Sequence, residues 1–182
     1  LFGDTWLSLS DDGVTLVSNT VGIQNGPCEG PITAFWREEG GRPAAVFVPA
    51  DGRGWLWPAG GSCLEGHLHL FFHRMDRGES GGAWDFFPRG TELIRIKGCR
   101  GPPEAWEMDR VLLPWKGEEF LLGSAPIAVG NYVLAYGSRP AGPAREMVLA
   151  RIRIEAFLRL EMDRWEYFSG DGKESAWSPL PG

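Results

Sequence analysis

Histidine and cysteine side chains suit metal binding, so their spacing decides whether the sequence predicts a metal site. His67, His69 and His73 share one face of an alternating segment, and a His-x-His pair on a strand can supply two ligands. His73 lies about 13 Å beyond His69 at the rise of a strand, too far to join the same ion. The three cysteines match neither zinc nor redox spacing. We expect polar packing of the histidines, with no metal and no cofactor.

The segment 78–82 reads Gly-Glu-Ser-Gly-Gly and matches the G-x-S-x-G pattern of serine hydrolases. That pattern supplies a nucleophile only on a sharp turn between a strand and a helix. Here it lies in a glycine-rich loop ahead of Trp84. We therefore predict that Ser80 is not a nucleophile.

The composition predicts mainly β-structure. The 182 residues include 9 Trp, 10 Phe, 26 Gly and 14 Pro, and this mixture favours short strands with tight turns. The formal charge of −6, without a long run of Lys or Arg, argues against nucleic acid as a partner. No apolar stretch approaches the roughly 20 residues that a membrane-spanning helix needs. The chain opens on Leu1 inside a predicted strand, so we expect sequence before it.

Two stretches of the chain resemble each other at a spacing near 60 residues, which predicts a repeated unit. Each unit reads as a short strand, a turn with glycine, an alternating strand, a third strand and a fourth strand with tryptophan. The matching segments are Gly61-Ser62, 66–72, 93–96 and Trp106-Glu107 in the first, and Gly123-Ser124, 130–136, 149–152 and Trp165-Glu166 in the second. This is the content of a four-stranded antiparallel propeller blade.

The repeat predicts how the single domain, or fragment of one, divides along the chain. We expect a partial blade at about 1–37, a blade at 38–105, another at 106–163 and the start of the next at 164–182. The first residues resemble the end of a second strand, so the first blade is expected to lack its opening strand. Apolar residues at helical spacing predict one short helix over 154–162.

The motifs LFGDTW, LVSNTVGI, WLWPAGGSCLEGHLHLFF, GSAPIAVGNYVLAYGSRP, MVLARIRIEAF and WEYFSGDG together resemble a bacterial family of five-bladed β-propellers. That family was long known only as a domain of unknown function, and it is similar in architecture to arabinanase-type glycoside hydrolases. Some of its members are endo-acting D-arabinanases. The resemblance implies an all-β fold, a secreted or cell-surface location and a polysaccharide or oligosaccharide partner. It also implies five blades, of which this chain holds about three, so other sequence is expected to supply the rest.

The resemblance makes Asp4 the candidate catalytic residue, because the aspartate of the GDT motif is the most visible acid of the family. Glycoside hydrolysis normally uses two carboxylates about 5 to 10 Å apart. The following strand offers Asn19, which cannot titrate, and the acids near it, Asp11, Asp12 and Glu29, read as loop residues. A structural alternative is that Asp4 accepts hydrogen bonds from backbone N–H groups of its own turn.

The remaining candidates suit a sugar site at the mouth of a central channel. Aromatic faces can stack on sugar rings, and polar groups can bind hydroxyls. The expected substrate-binding residues are Trp6, Asn19, Trp57, Arg74, Ser124, Tyr136, Ser138 and Arg139, with Asp4, Arg74 and Ser138 placed at comparable strand ends. Most tryptophans, Trp106 and Trp165 above all, are expected to pack between blades.

Three functions remain open from the sequence. The first is hydrolysis of a furanose-containing, arabinan-like polysaccharide. The second is carbohydrate binding or a cell-surface interaction without catalysis. The third is a protein-binding scaffold, which the fold alone does not exclude.

Overall fold

The computed structural model describes residues 1–10, 13–24, 26, 29–98, 101–168 and 177–179. These residues form mostly β-strands, which confirms the all-β prediction. The strands are β1 Phe2–Ser10, β2 Gly13–Gln24, β3 Ile32–Phe35, β4 Arg37–Glu39, β5 Arg42–Ala44, β6 Trp55–Leu64, β7 His67–Arg77, β8 Phe86–Lys97, β9 Glu107–Lys116, β10 Leu121–Val129, β11 Tyr132–Ala141, β12 Ala144–Arg153, β13 Glu166–Phe168 and β14 Trp177–Pro179. One helix, α1, spans Ile154–Leu158, inside the predicted 154–162 segment but shorter than it.

Each described strand pairs antiparallel with the next one inside its sheet. The first sheet has the order β1-β2-β3, a small hairpin is made of β4 and β5, the second sheet is β6-β7-β8-β9, and the third is β10-β11-β12-β13-β14. The long pairs run without a crossover, for example from Tyr132 opposite Arg153 to Ala141 opposite Ala144. Short turns with glycine allow this up-and-down order.

The second and third sheets repeat the same order of elements. In both, a short 3₁₀ turn, Pro103–Ala105 or Met162–Arg164, precedes a tryptophan and then the fourth strand. Trp106 and Trp165 therefore stand at matching places, as the sequence repeat predicts.

The strand pairing corrects one detail of the predicted division. Among the described residues β1, which carries Asp4, pairs with β2 alone, and Arg74 and Ser138 are the residues that the sequence places at comparable strand ends. Those two residues lie on second strands, where Arg74 pairs with Leu56 and Ser138 with Leu121. The fourth strand β9 pairs with β8, so the second sheet ends at 116 and not near 105.

The second sheet is buried on both faces because its strands alternate. On β7, Leu70 and Phe72 point into a core with Phe47 and Val21, toward the first sheet. Phe71, between them, points into a second core with the third sheet. Phe157 of α1 and Trp165 complete that second core, and both are essentially inaccessible to solvent.

The first strands of the second and third sheets approach closely at glycines. A Cβ on Gly60 would lie 2.4 Å from the carbonyl oxygen of Gly123. Gly123 itself has φ of 115°, and a Cβ there would lie 2.3 Å from Cβ of Phe71. A larger side chain at Gly60 would force β6 and β10 apart, and one at Gly123 would displace Phe71 of β7. No helix among the described residues has the length and apolar character required to cross a membrane.

Candidate functional site

A cleft of about 660 Å³ opens between the first and second sheets, and we name it the aromatic cleft. Its walls come from β1, β2, the β4–β5 hairpin, β6 and the turn between β7 and β8. Its lining includes Asp4, Trp6, Trp55, Trp57, Arg77, Trp84 and Phe86. Three of the predicted residues, Asp4, Trp6 and Trp57, therefore share one site.

The carboxylate of Asp4 is held by a hydrogen bond across the cleft. The indole Nε1 of Trp57 donates to Oδ1 of Asp4 at 2.7 Å, which joins β1 to β6. Asp4 has φ of 28° and lies between Gly3 and Thr5, which pair with Asn19 and Val17 of β2 in one register. The side chain is exposed, so the bond fixes its direction without removing it from solvent.

Five aromatic rings form the apolar part of this cleft. Trp57 and Phe86 meet edge to face with centroids 5.0 Å apart, and Trp55 contacts both at 5.8 and 6.0 Å. Trp6 and Trp84 instead leave 68% and 87% of their surface exposed. Large aromatic faces left in water beside a polar group are typical of ligand sites. Sequence reasoning missed Trp55, Trp84 and Phe86, because nothing in the repeat separates cleft aromatics from packing ones.

The turn that carries Trp84 is ordered by Asp85. Its carboxylate accepts hydrogen bonds from the backbone N–H groups of Ser80 and Gly81. A side-chain hydrogen bond from Ser80 is the main reason that the pKa of Asp85 lies below its usual value. The turn is closed by a second bond, from the N–H of Gly78 to the carbonyl of Asp85, at 2.9 Å. The G-x-S-x-G segment is thus a loop, and Ala83 and Trp84, which follow it, line the cleft.

Three other predicted residues lie in a separate, smaller cleft of about 270 Å³, which we name the polar cleft. Ser124, Tyr136 and Ser138 line it, between β7 and the third sheet. Arg139, beside it on β11, forms an ion pair with Glu146. The structure therefore does not bring all the predicted residues into one rim.

Asn19 is a buried structural connector. Its side-chain amide donates to the carbonyl oxygens of Phe47 at 2.8 Å and Leu56 at 2.9 Å, and its Oδ1 accepts from the N–H of Phe47 at 2.8 Å. Its accessibility is 0%, so these bonds tie the first sheet to the segment before β6 and to β6 itself. The amide faces backbone and not a cleft.

Arg74 also belongs to a buried network, which corrects its expected place on a common rim. Its guanidinium pairs with Asp51 at 2.6 Å and lies 3.9 Å from Glu92. Glu92 is 1% exposed and pairs with Arg110 at 2.9 Å. Burial raises the pKa of Glu92, and the charge of Arg110 opposes that rise. The network fixes the loop before β6 to the second sheet.

The described part of the chain contains no group of three or more side chains suited to hold a metal ion. His69 is fully buried against Phe157, with ring centroids 4.7 Å apart, while His73 lines the polar cleft. Among the described residues that line the aromatic cleft, Asp4 is the one carboxylate. Of the other acids weighed as its partner, Asp11 and Asp12 fall outside the described residues.

Comparison with known proteins does not assign the chain to a family, since no family model matches it and no curated protein matches it significantly. The geometry of the two clefts therefore carries the functional argument.

Proposed function

We propose that this chain is part of a carbohydrate-binding β-propeller, and that its aromatic cleft binds a furanose-containing, arabinan-like polysaccharide. The observation that carries the proposal is the pair of exposed tryptophans, Trp6 and Trp84, beside an oriented carboxylate, Asp4. A sugar ring has C–H faces that suit flat aromatic surfaces and hydroxyls that suit a carboxylate acceptor.

The propeller itself rests on how successive sheets follow one another. Two antiparallel sheets repeat the same strand order, and the second sheet packs apolar side chains against a neighbour on each face. Radially arranged blades bury their faces in this way. The close approach of β6 and β10 at Gly60 and Gly123 fits first strands that line a common axis. With the resemblance of the motifs, this supports a five-bladed protein that acts outside the cell.

Binding is tested with the 182-residue chain and arabinan-type oligosaccharides by isothermal titration calorimetry. Truncation of an exposed stacking ring removes apolar contact together with about 0.5–1.5 kcal/mol of specific aromatic interaction. We expect Trp6→Ala and Trp84→Ala each to weaken binding by about tenfold. Ile127→Ala is the matched control, because Ile127 is 58% exposed and lines neither cleft. Wild-type affinity in both tryptophan variants would refute the proposed site.

Hydrolysis of the same polysaccharide is the second candidate, and the backbone of Asp4 favours it. A non-glycine residue with φ of 28° is unusual, and such residues concentrate at active sites. Asp4 would act as nucleophile or base, with a second acid from elsewhere in the protein.

A single variant separates hydrolysis from binding. Asp4→Asn keeps the size of the side chain and an oxygen that can accept from Trp57, but it cannot titrate. If the protein is a hydrolase, release of reducing sugar from arabinan falls by at least 100-fold in this variant, while calorimetric binding remains. Equal hydrolysis by wild type and variant would remove Asp4 from the mechanism.

A further inference from the structure

The polar cleft occupies the same place in the repeat as the aromatic cleft, one sheet further along the chain. Each cleft is built from the start of a first strand, the end of a second strand, the start of a third strand and the second strand of the preceding sheet. In the aromatic cleft these parts are Trp55 and Trp57, Arg77, Phe86, and 16–18 of β2. In the polar cleft they are Leu121, Ser138, 145–147, and His73 of β7. The two clefts are therefore successive positions of one repeated site.

In the polar cleft, the guanidinium group of Arg145 lines the wall where the aromatic cleft has aromatic rings. Nε of Arg145 donates to Oγ of Ser138 at 2.9 Å, and a terminal nitrogen donates to the carbonyl oxygen of Ser138 at 2.8 Å. Both bonds go to one residue of the neighbouring strand, so the guanidinium plane is held at the cleft while the side chain stays exposed. Tyr136 and Ser124 add hydroxyl groups to the same lining.

The charges around the cleft favour an anionic ligand. Glu146 also lines the cleft, but it is paired with Arg139, so the charge of Arg145 is left in excess. Burial is the main cause that lowers the pKa of the neighbouring His73; a backbone hydrogen bond with Leu122 opposes this, and the positive charge of Arg145 adds to the lowering. A guanidinium with planar donors is well matched to a carboxylate. This local positive site lies on a chain whose formal charge is −6.

We infer that the polar cleft binds a carboxylate-bearing sugar unit, a uronate, next to the unit held in the aromatic cleft. Arg145 pairs with the carboxylate, and the hydroxyls of Tyr136 and Ser124 bind ring hydroxyls. The volume of about 270 Å³, against about 660 Å³ for the aromatic cleft, suits one small ring. The inference rests on the proposed function, because it places both clefts along one polysaccharide.

The test compares two oligosaccharides that differ only in charge. One is an arabinan-type oligosaccharide with a terminal uronate, and the other is the same molecule with that carboxyl reduced to an alcohol. We expect the 182-residue chain to bind the uronate form about tenfold more tightly in low salt, which corresponds to about 1.4 kcal/mol. The difference shrinks in 0.5 M NaCl because salt screens exposed charges.

Arg145→Gln abolishes this preference, because both forms then meet the same uncharged side chain. Arg153→Gln is the matched control, since Arg153 is exposed at the opposite end of the same strand; it retains the preference. Equal affinity for the two forms in wild type, or a preference that survives in Arg145→Gln, overturns the inference.

The outcomes separate this inference from the proposed function. If the reduced form binds and Trp84→Ala weakens that binding by about tenfold, the proposed function stands whatever happens at Arg145. If free glucuronate binds through Arg145 while the reduced oligosaccharide does not bind at all, the uronate site stands and the aromatic cleft loses its assigned ligand.

Discussion

His69 gives the chain a stability that depends on pH in a predictable direction. The ring is fully buried, and neither nitrogen makes a hydrogen bond of good geometry with a described residue. Burial is the main cause that lowers its pKa to about 4 from 6.5, and the charge of Arg95 adds to it. The unfolded chain therefore takes up a proton at higher pH than the folded one does.

The sign and size of the effect follow from these two values. Between pH 6.5 and about 4 the unfolded state binds more protons at this position, so the free energy of unfolding falls as the pH falls. The difference between the pKa of His69 in the unfolded and in the folded chain corresponds to about 3 kcal/mol of unfolding free energy, at about 1.4 kcal/mol per pKa unit. Between pH 7.5 and pH 5, about 2 kcal/mol of it is lost.

Urea unfolding of wild type and His69→Leu at pH 7.5 and pH 5 measures this contribution. Leucine cannot titrate, so the variant keeps the pH dependence of all other groups and loses that of His69. We expect wild type to lose about 2 kcal/mol more than the variant between the two pH values. Equal losses, or an NMR titration that places His69 near pH 6.5, would refute the reasoning.

Two further predictions concern residues that join the sheets. Asn19→Ala should destabilise the fold by about 2–4 kcal/mol, because it leaves the N–H and the carbonyl of Phe47 buried without partners. Asn19→Asp should not restore stability, because a carboxylate lacks both N–H donors of the amide. Gly123→Ala should lower the free energy of unfolding by about 3 kcal/mol or more, because φ is 115° and the new Cβ meets Phe71. Gly130→Ala is its control and should lower the free energy of unfolding by only about 1 kcal/mol, because φ is 58° and the space around the new Cβ is open. Thermal unfolding of the four variants checks both; similar melting temperatures for the two glycine variants would contradict the close approach of the strands.

The repeat made the strand order of the second and third sheets predictable from sequence. What the repeat could not predict has a physical cause. The spacing of Trp106 and Trp165 correctly places two matching fourth strands, and the apolar pattern after 153 correctly places a helix. The pattern could not fix the role of β1, since a short strand with glycine and tryptophan fits either a first or a second strand. The partners on both edges of a strand decide this, and among the described residues β1 is paired along one edge.

The candidate site was predictable in part. Asp4, Trp6 and Trp57 share a cleft because β1 lies beside β6, where Nε1 of Trp57 donates to Asp4. Asn19 was expected to bind sugar because its amide can hydrogen-bond to hydroxyls, and its burial against backbone groups identifies it as a connector. Trp84 could not be predicted, because its position depends on a turn that the carboxylate and the backbone carbonyl of Asp85 both close.

The indole N–H signals of the tryptophans test the central proposal most directly. In a spectrum of the ¹⁵N-labelled chain titrated with arabinan oligosaccharide, we predict shifts at Trp57, whose N–H is bonded to Asp4, and at Trp6 and Trp84. The signal of Trp165, buried in the second core, should stay in place. If the oligosaccharide leaves the three cleft signals unmoved at saturating concentration, the aromatic cleft is not a carbohydrate site.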